Sequence, residues 1–126
     1  MDVPVRALDA VLDGRWPTLI KVDVEGFESA VLAGAACALA DPALLDVITA
    51  LTGSGARYGF HDYALHRDLL GCGFEAVRYR PFERVLESLH GARSGSGNTL
   101  YVRDAGRLAE RVRSAPRFAV GQGWSL

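Results

Sequence analysis

Thr18-Leu19-Ile20-Lys21-Val22-Asp23-Val24 is short, β-branched and largely apolar, and Glu25-Gly26 follows it directly. Such a run reads as a strand buried on both faces, as in a parallel sheet. Glu25-Gly26 then turns the chain. Beyond the turn, Phe27, Ala30, Val31, Gly34, Ala35, Ala38 and Leu39 fall at the spacing of one helix face. The small residues on that face let a helix lie close against a sheet. Asp41-Pro42 ends it, because proline disfavours helix in the residue before it. A strand, a turn and a helix in this order are the unit of an α/β fold.

Working outward, Leu44 to Leu51 repeats the strand character and Gly53-Ser54-Gly55 breaks it. His61 to Leu70 reads as a helix with Tyr63, His66, Leu69 and Leu70 on its apolar side. Gly71-Cys72-Gly73 stops it. Phe74 to Tyr79 alternates like a strand and Pro81 ends it. Phe82 to Leu89 fits helix or strand equally. Gly91 to Gly97 is a loop of Gly, Ser and Arg. Asn98 to Val102 reads as a last strand and Asp104 to Arg113 as a helix capped by Asp104. The tail after Pro116 has no clear period. The first connections are long enough for parallel crossovers, so the expected architecture is α/β, a Rossmann-like, doubly wound and mostly parallel sheet in a single domain over residues 1–126.

Composition narrows the class. Of 126 residues, 49% are hydrophobic and 23% charged, which excludes a disordered chain. The net charge of −1 provides no global field for nucleic acid or an anionic membrane. The two cysteines lack C-x-x-C spacing, build no disulfide scaffold and read as small buried apolar groups. The start has neither the basic head nor the apolar run of a signal peptide. The most apolar stretch, 30–40, is far shorter than the roughly 18 residues of a membrane helix. A cytoplasmic protein is the expectation. Of the 14 basic residues, Lys21 alone is lysine.

Ligands of an open parallel sheet bind beyond the carboxyl ends of its strands. The first strand ends in three carboxylates, Asp23, Glu25 and Glu28, and Lys21 shares strand parity with Asp23. In one reading Asp23 and Glu25 face a ligand pocket, with Lys21 tuning the charge or serving as a base. In the other, the acids favour a helix N-terminus and Lys21 and Asp23 satisfy each other. His61 is a possible substrate-facing base and, more simply, a helix-start or surface histidine. Gly53-x-Gly55-x-x-x-Gly59 follows a strand and precedes a helix, but no acid sits just before Gly53, so a plain loop is the better reading. Arg103, Arg107 and Arg111 share a four-residue spacing and read as a solvated helix face diluted by Asp104 and Glu110. No metal site is assigned.

Leu19-Ile20-Lys21-Val22-Asp23-Val24-Glu25-Gly26-Phe27-Glu28 with Val31-Leu32-Ala33-Gly34-Ala35 resembles the signature of FkbM-family methyltransferases. Val5-Arg6-Ala7-Leu8-Asp9 upstream, and Leu69 to Phe74 and Gly97 to Val102 downstream, look like further family segments. The resemblance covers nearly the whole chain, but only the C-terminal half of a family domain. It implies a Rossmann-type enzyme that uses S-adenosylmethionine, mostly to O-methylate sugars and natural products. Within such an enzyme, position at the strand end places Asp23 in the pocket near the methyl donor, with Glu25 and Glu28 orienting substrate or the turn and Lys21 as the supporting charge; His61 is the substrate-side candidate already named. The family's acid after the next strand is absent, since Thr49-Ala50-Leu51-Thr52 stands there. The half carrying the glycine-rich cofactor loop is also absent. The first strand, normally mid-sheet, is then expected to bare one edge. That edge suits a second copy of the chain or a separately encoded N-terminal half. The alternative function is a catalytically inactive fragment that pairs sheets.

Overall fold

A computed structural model of the chain describes residues 2–95, 97–120 and 124–125. The strand expected over 18–24 forms as β1, Leu19–Val22, and the next as β2, Asp46–Ala50. Asn98–Val102 forms where expected and is β5. Phe74 is buried just ahead of β3, Glu75–Arg80. The ambiguous 82–89 segment resolves into a turn with Arg84 at φ +56° and β4, Val85–Ser88. After Pro116, Ala119–Val120 (β6) pairs antiparallel with Trp124–Ser125 (β7).

The single helix expected after β1 is two. α2 spans Glu28–Ala33 and α3 spans Ala36–Ala40. The cause is a short helix far back in the chain, α1, Leu8–Leu12. Asp9 places its two carboxylate oxygens on the N–H groups of Cys37 and Ala38, at 2.8 and 3.0 Å, and so caps α3 from outside. The Asp9 N–H donates to the Gly34 carbonyl at 2.9 Å. A Cβ on Gly34 would stand 3.3 Å from Ala7, so a glycine at the break lets α1 approach closely. These backbone N–H groups hold the Asp9 carboxyl below its usual range, the Cys37 N–H foremost. Cys37 is exposed and Cys72 partly so, which corrects the buried reading of both.

α4, Asp62–Gly71, buries Leu65, His66 and Leu69. Tyr63, expected on that side, is 72% exposed. α5, Ala105–Ser114, starts at Asp104, whose side chain accepts from the Arg107 N–H at 2.9 Å.

The five main strands form one mixed sheet in the order β1-β2-β5-β3-β4. β1 and β2 are parallel, whereas β2·β5, β5·β3 and β3·β4 are antiparallel. The expectation of a mostly parallel sheet is therefore corrected to an α/β protein with a mixed one. Part of the difference follows from connection length, since a parallel link between neighbouring strands needs a crossover of about a dozen residues or more. The tight 81–84 turn can only reverse the chain. The β1-to-β2 link, which carries α2 and α3, is long enough for a crossover.

Register aligns Ile20, Val47, Tyr101 and Ala76 across β1, β2, β5 and β3. All four are buried and pack with Leu32, Ala35, Ala38, Leu39, Leu65 and Leu69 of the helices. Burying each such leucine is worth about 1.5–3 kcal/mol. β1 stands at the edge of the order, with no strand on its outer side among the described residues. Its alternate residues, Leu19 and Lys21, are exposed.

Candidate functional site

The carboxyl ends of β1 and β2 lie side by side because the two strands are parallel and paired Ile20 to Val47 and Val22 to Thr49. The loops that follow are locked together. Gly26, at φ +113°, rests on the backbone of Ser54, where a Cβ would meet the carbonyl oxygen at 2.8 Å. No other residue fits there. Glu25, just before it, holds φ +47°, a region that costs a residue with a side chain on the order of 1 kcal/mol.

Glu28 turns back onto this loop. Its Oε2 accepts from the Gly26 N–H at 2.8 Å and its Oε1 from the Val24 N–H at 3.4 Å. Glu28 is 7% exposed. Its carboxylate is thus engaged in holding the turn at the start of α2. Lys21 Nζ donates to Asp23 Oδ2 at 2.9 Å, and the two side chains are 52% and 55% exposed. The mutual pairing that parity allowed is present. The pair does not stand against bare solvent alone. Lys21, Asp23 and Val24 border an open groove of about 520 Å³ that runs along the free side of β1 to Leu8 and Leu12 of α1. Glu25 is exposed at the tip of the turn.

His61 lies elsewhere. It occupies the residue before α4, makes no side-chain cap and is exposed. It borders a separate, largely apolar cleft of about 310 Å³ shared with Ser29, Leu32, Asp68 and Cys72. The structure therefore gathers Lys21, Asp23 and the loop held by Glu28, and leaves His61 on another cavity.

The glycines after β2 form a 3-10 turn, Ser54–Tyr58. Two of their donors are occupied: the Gly53 N–H donates to Asp62 Oδ2 at 2.6 Å and the Gly59 N–H to the Ala56 carbonyl at 3.1 Å. Arg93 donates to the same carboxylate at 3.3 Å and to the Leu51 carbonyl at 2.6 Å. Gly55 packs against Gly26 and Phe60. Over the joined loops Phe27 meets Tyr58, ring centroids 4.4 Å apart, and Phe60 at 6.1 Å.

Two polar arrangements escaped the sequence. His66, placed there on an apolar helix face, is buried within bonding distance of the Tyr101 hydroxyl at 2.7 Å and the Gly91 carbonyl at 2.9 Å. The carbonyl can only accept, so Nε2 carries the proton and Nδ1 accepts from Tyr101 when the ring is neutral. Burial pushes the Tyr101 phenol above its ordinary value. Arg103, read with Arg107 and Arg111 as one helix face, instead precedes α5 and turns inward. It donates to the carbonyls of Leu44, Cys72 and Leu39 at 3.0, 2.7 and 2.7 Å and lies 4.3 Å over the Phe74 ring. An arginine directly behind a buried strand was the available signal.

Among the described residues no group of three or more His, Cys, Asp and Glu could hold a metal ion, and no helix is long and apolar enough to cross a membrane. No known family model, curated protein or solved structure matches this chain significantly.

Proposed function

We propose that the chain is the C-terminal half of an FkbM-like, S-adenosylmethionine-dependent methyltransferase that acts on a hydroxyl group of a sugar or natural product. The observation that carries the proposal is the position of the acidic corner. Asp23 sits at the carboxyl end of a parallel strand and borders an open groove, and Glu25 follows it on a strained, exposed turn. The shared direction of β1, β2 and β3, with β5 reversed between β2 and β3, supports a Rossmann-like ancestry.

The donor set fits one end of the cofactor. Exposed carboxylates suit its positive groups, the sulfonium and the α-ammonium. The adenosine end finds no acid after β2, and the Gly53 N–H there is already taken by Asp62. That end is left to another chain segment. When bound, the cofactor supplies an electrophilic methyl group on a sulfonium. Asp23 then orients the positive charge, and Lys21 tethers Asp23 through its 2.9 Å contact. Glu25 would orient the acceptor hydroxyl. Glu28 keeps the turn in shape through the Gly26 and Val24 N–H groups. Positioning and a nearby base are the usual protein contributions to such transfers.

Isothermal titration with S-adenosylmethionine at millimolar concentration tests the proposal. Saturable heat that is lost in Asp23→Asn is expected, and a silent titration removes cofactor binding by this chain. The bare edge of β1 favours a second reading, a non-catalytic sheet-pairing module, which a silent titration leaves standing.

A further inference from the structure

We infer that β1 pairs with β1 of a second copy of this chain, antiparallel and crossing at Val22. The inference rests on the free strand edge, as the sheet-pairing reading does, and not on methyl transfer; the partner strand would fill the groove beside Lys21 and Asp23, so the dimer and a cofactor bound there exclude each other, and assembly is measured without cofactor.

The edge has the polarity that pairing needs. The Thr18 carbonyl accepts from the Leu45 and Asp46 N–H groups, and Leu19 aligns with Asp46. Backbone groups alternate sides along a strand. Thr18, Ile20 and Val22 therefore turn theirs toward β2, and Leu19 and Lys21 turn theirs outward, with no strand beside them among the described residues. Exposed edges of this kind are templates for another strand. The groove beside β1 is walled by Leu8, Leu12 and Val31, while Leu19 and Val24 are 50% and 42% exposed.

Charge selects the occupant and the register. Lys21 and Asp23 project from the same face, two residues apart, with opposite sign. Antiparallel strands crossing at Val22 set each Lys21 directly opposite Asp23 of the other copy, twice per dimer, and bring Val22 against Val22 and Ile20 against Val24. Directly opposed side chains approach to about 5 Å and unlike charges there are stabilising. A crossing at Lys21 opposes two lysines, and a crossing at Asp23 opposes two aspartates. In-register parallel pairing sets like charges side by side. The Val22 crossing sets no like charges opposite each other. It is also two-fold symmetric, so assembly closes at a dimer instead of growing into a fibre.

Sedimentation equilibrium of the whole chain tests this, with far-UV circular dichroism to confirm that each variant folds. A dimer is expected to dominate at about 100 µM and to weaken with salt. Lys21→Glu and Asp23→Lys each set like charges opposite one another and raise the dissociation constant about tenfold. The K21D/D23K swap restores the opposed charges and dimerises like the unaltered chain. Independently of any variant, the Lys21 and Asp23 amides gain exchange protection as concentration rises through the transition. A chain that stays monomeric overturns the inference. So does a dimer indifferent to the single reversals, or a swap that behaves like them. A dimer whose Lys21 and Asp23 amides remain unprotected also overturns it.

Discussion

The middle of the sheet and its β1 edge differ sharply. At Tyr101, β5 has a strand on each side, helices over its face, and a hydroxyl bonded to His66, which in turn meets Gly91. At Ile20 and Lys21, β1 has, among the described residues, a strand on one side only, a groove on the other, and an ion pair of two half-exposed side chains. Tyr101 and Lys21 come from the same kind of segment, short and β-branched, so local composition does not set the contrast. The number of neighbours does. Where a strand is enclosed, its polar groups serve the fold, because a buried group without a partner is costly. Where it is open, polar groups remain available to another molecule.

The largest effect expected from attacking the closed region is at Arg103. Arg103→Ala leaves the carbonyls of Leu44, Cys72 and Leu39 without their shared donor. Urea unfolding should report a loss of about 3 kcal/mol. A loss below about 1 kcal/mol would mean that water replaces the guanidinium and that this region is not closed.

Gly26→Ala comes next and probes the boundary between the regions. The added methyl carbon meets the Ser54 carbonyl oxygen at 2.8 Å while the backbone stays at φ +113°. A destabilisation of about 2 kcal/mol is expected, together with weaker binding of S-adenosylmethionine, because the turn carrying Glu25 must move. Unchanged stability would show that the loops after β1 and β2 are not locked together.

Tyr101→Phe is smaller, about 1–2 kcal/mol, since it removes one hydroxyl and leaves His66 Nδ1 without its donor. It also carries a pH signature. Burial raises the folded phenol above its ordinary value of about 10, so the folded chain holds this proton more tightly than the unfolded chain. That contribution is complete below pH 10 and is lost as pH rises beyond it. Denaturation midpoints of the two proteins should therefore converge above about pH 10. A constant gap up to pH 11 would place the Tyr101 hydroxyl in contact with water.

Local pattern was enough for β1, β2, β3, β5, α4 and α5, because each has a clear period or a clear stop such as Pro81 or Asp104. It failed where a distant residue decides. The break between α2 and α3 follows from Asp9, 28 residues before Cys37. The insertion of β5 between β2 and β3 is a matter of pairing, which no window of sequence contains. Arg103 reaches carbonyls as far as 64 residues away, and His66 and Tyr101 lie 35 apart. The acidic corner was legible as a cluster, since its members lie within one strand and one turn. Strand parity foresaw the Lys21 and Asp23 pair. Glu28 was legible only as an acid near a helix start, because its grip on the Gly26 N–H depends on how the turn closes.

The open corner at the end of β1 is the feature on which the functional reading depends, and residue-resolved NMR titration with S-adenosylmethionine addresses it most directly. Saturable amide shifts confined to Lys21 through Phe27 and the adjoining Gly53–Phe60 loop are the predicted result. An unchanged spectrum, or shifts centred on the His61 cleft, would contradict it.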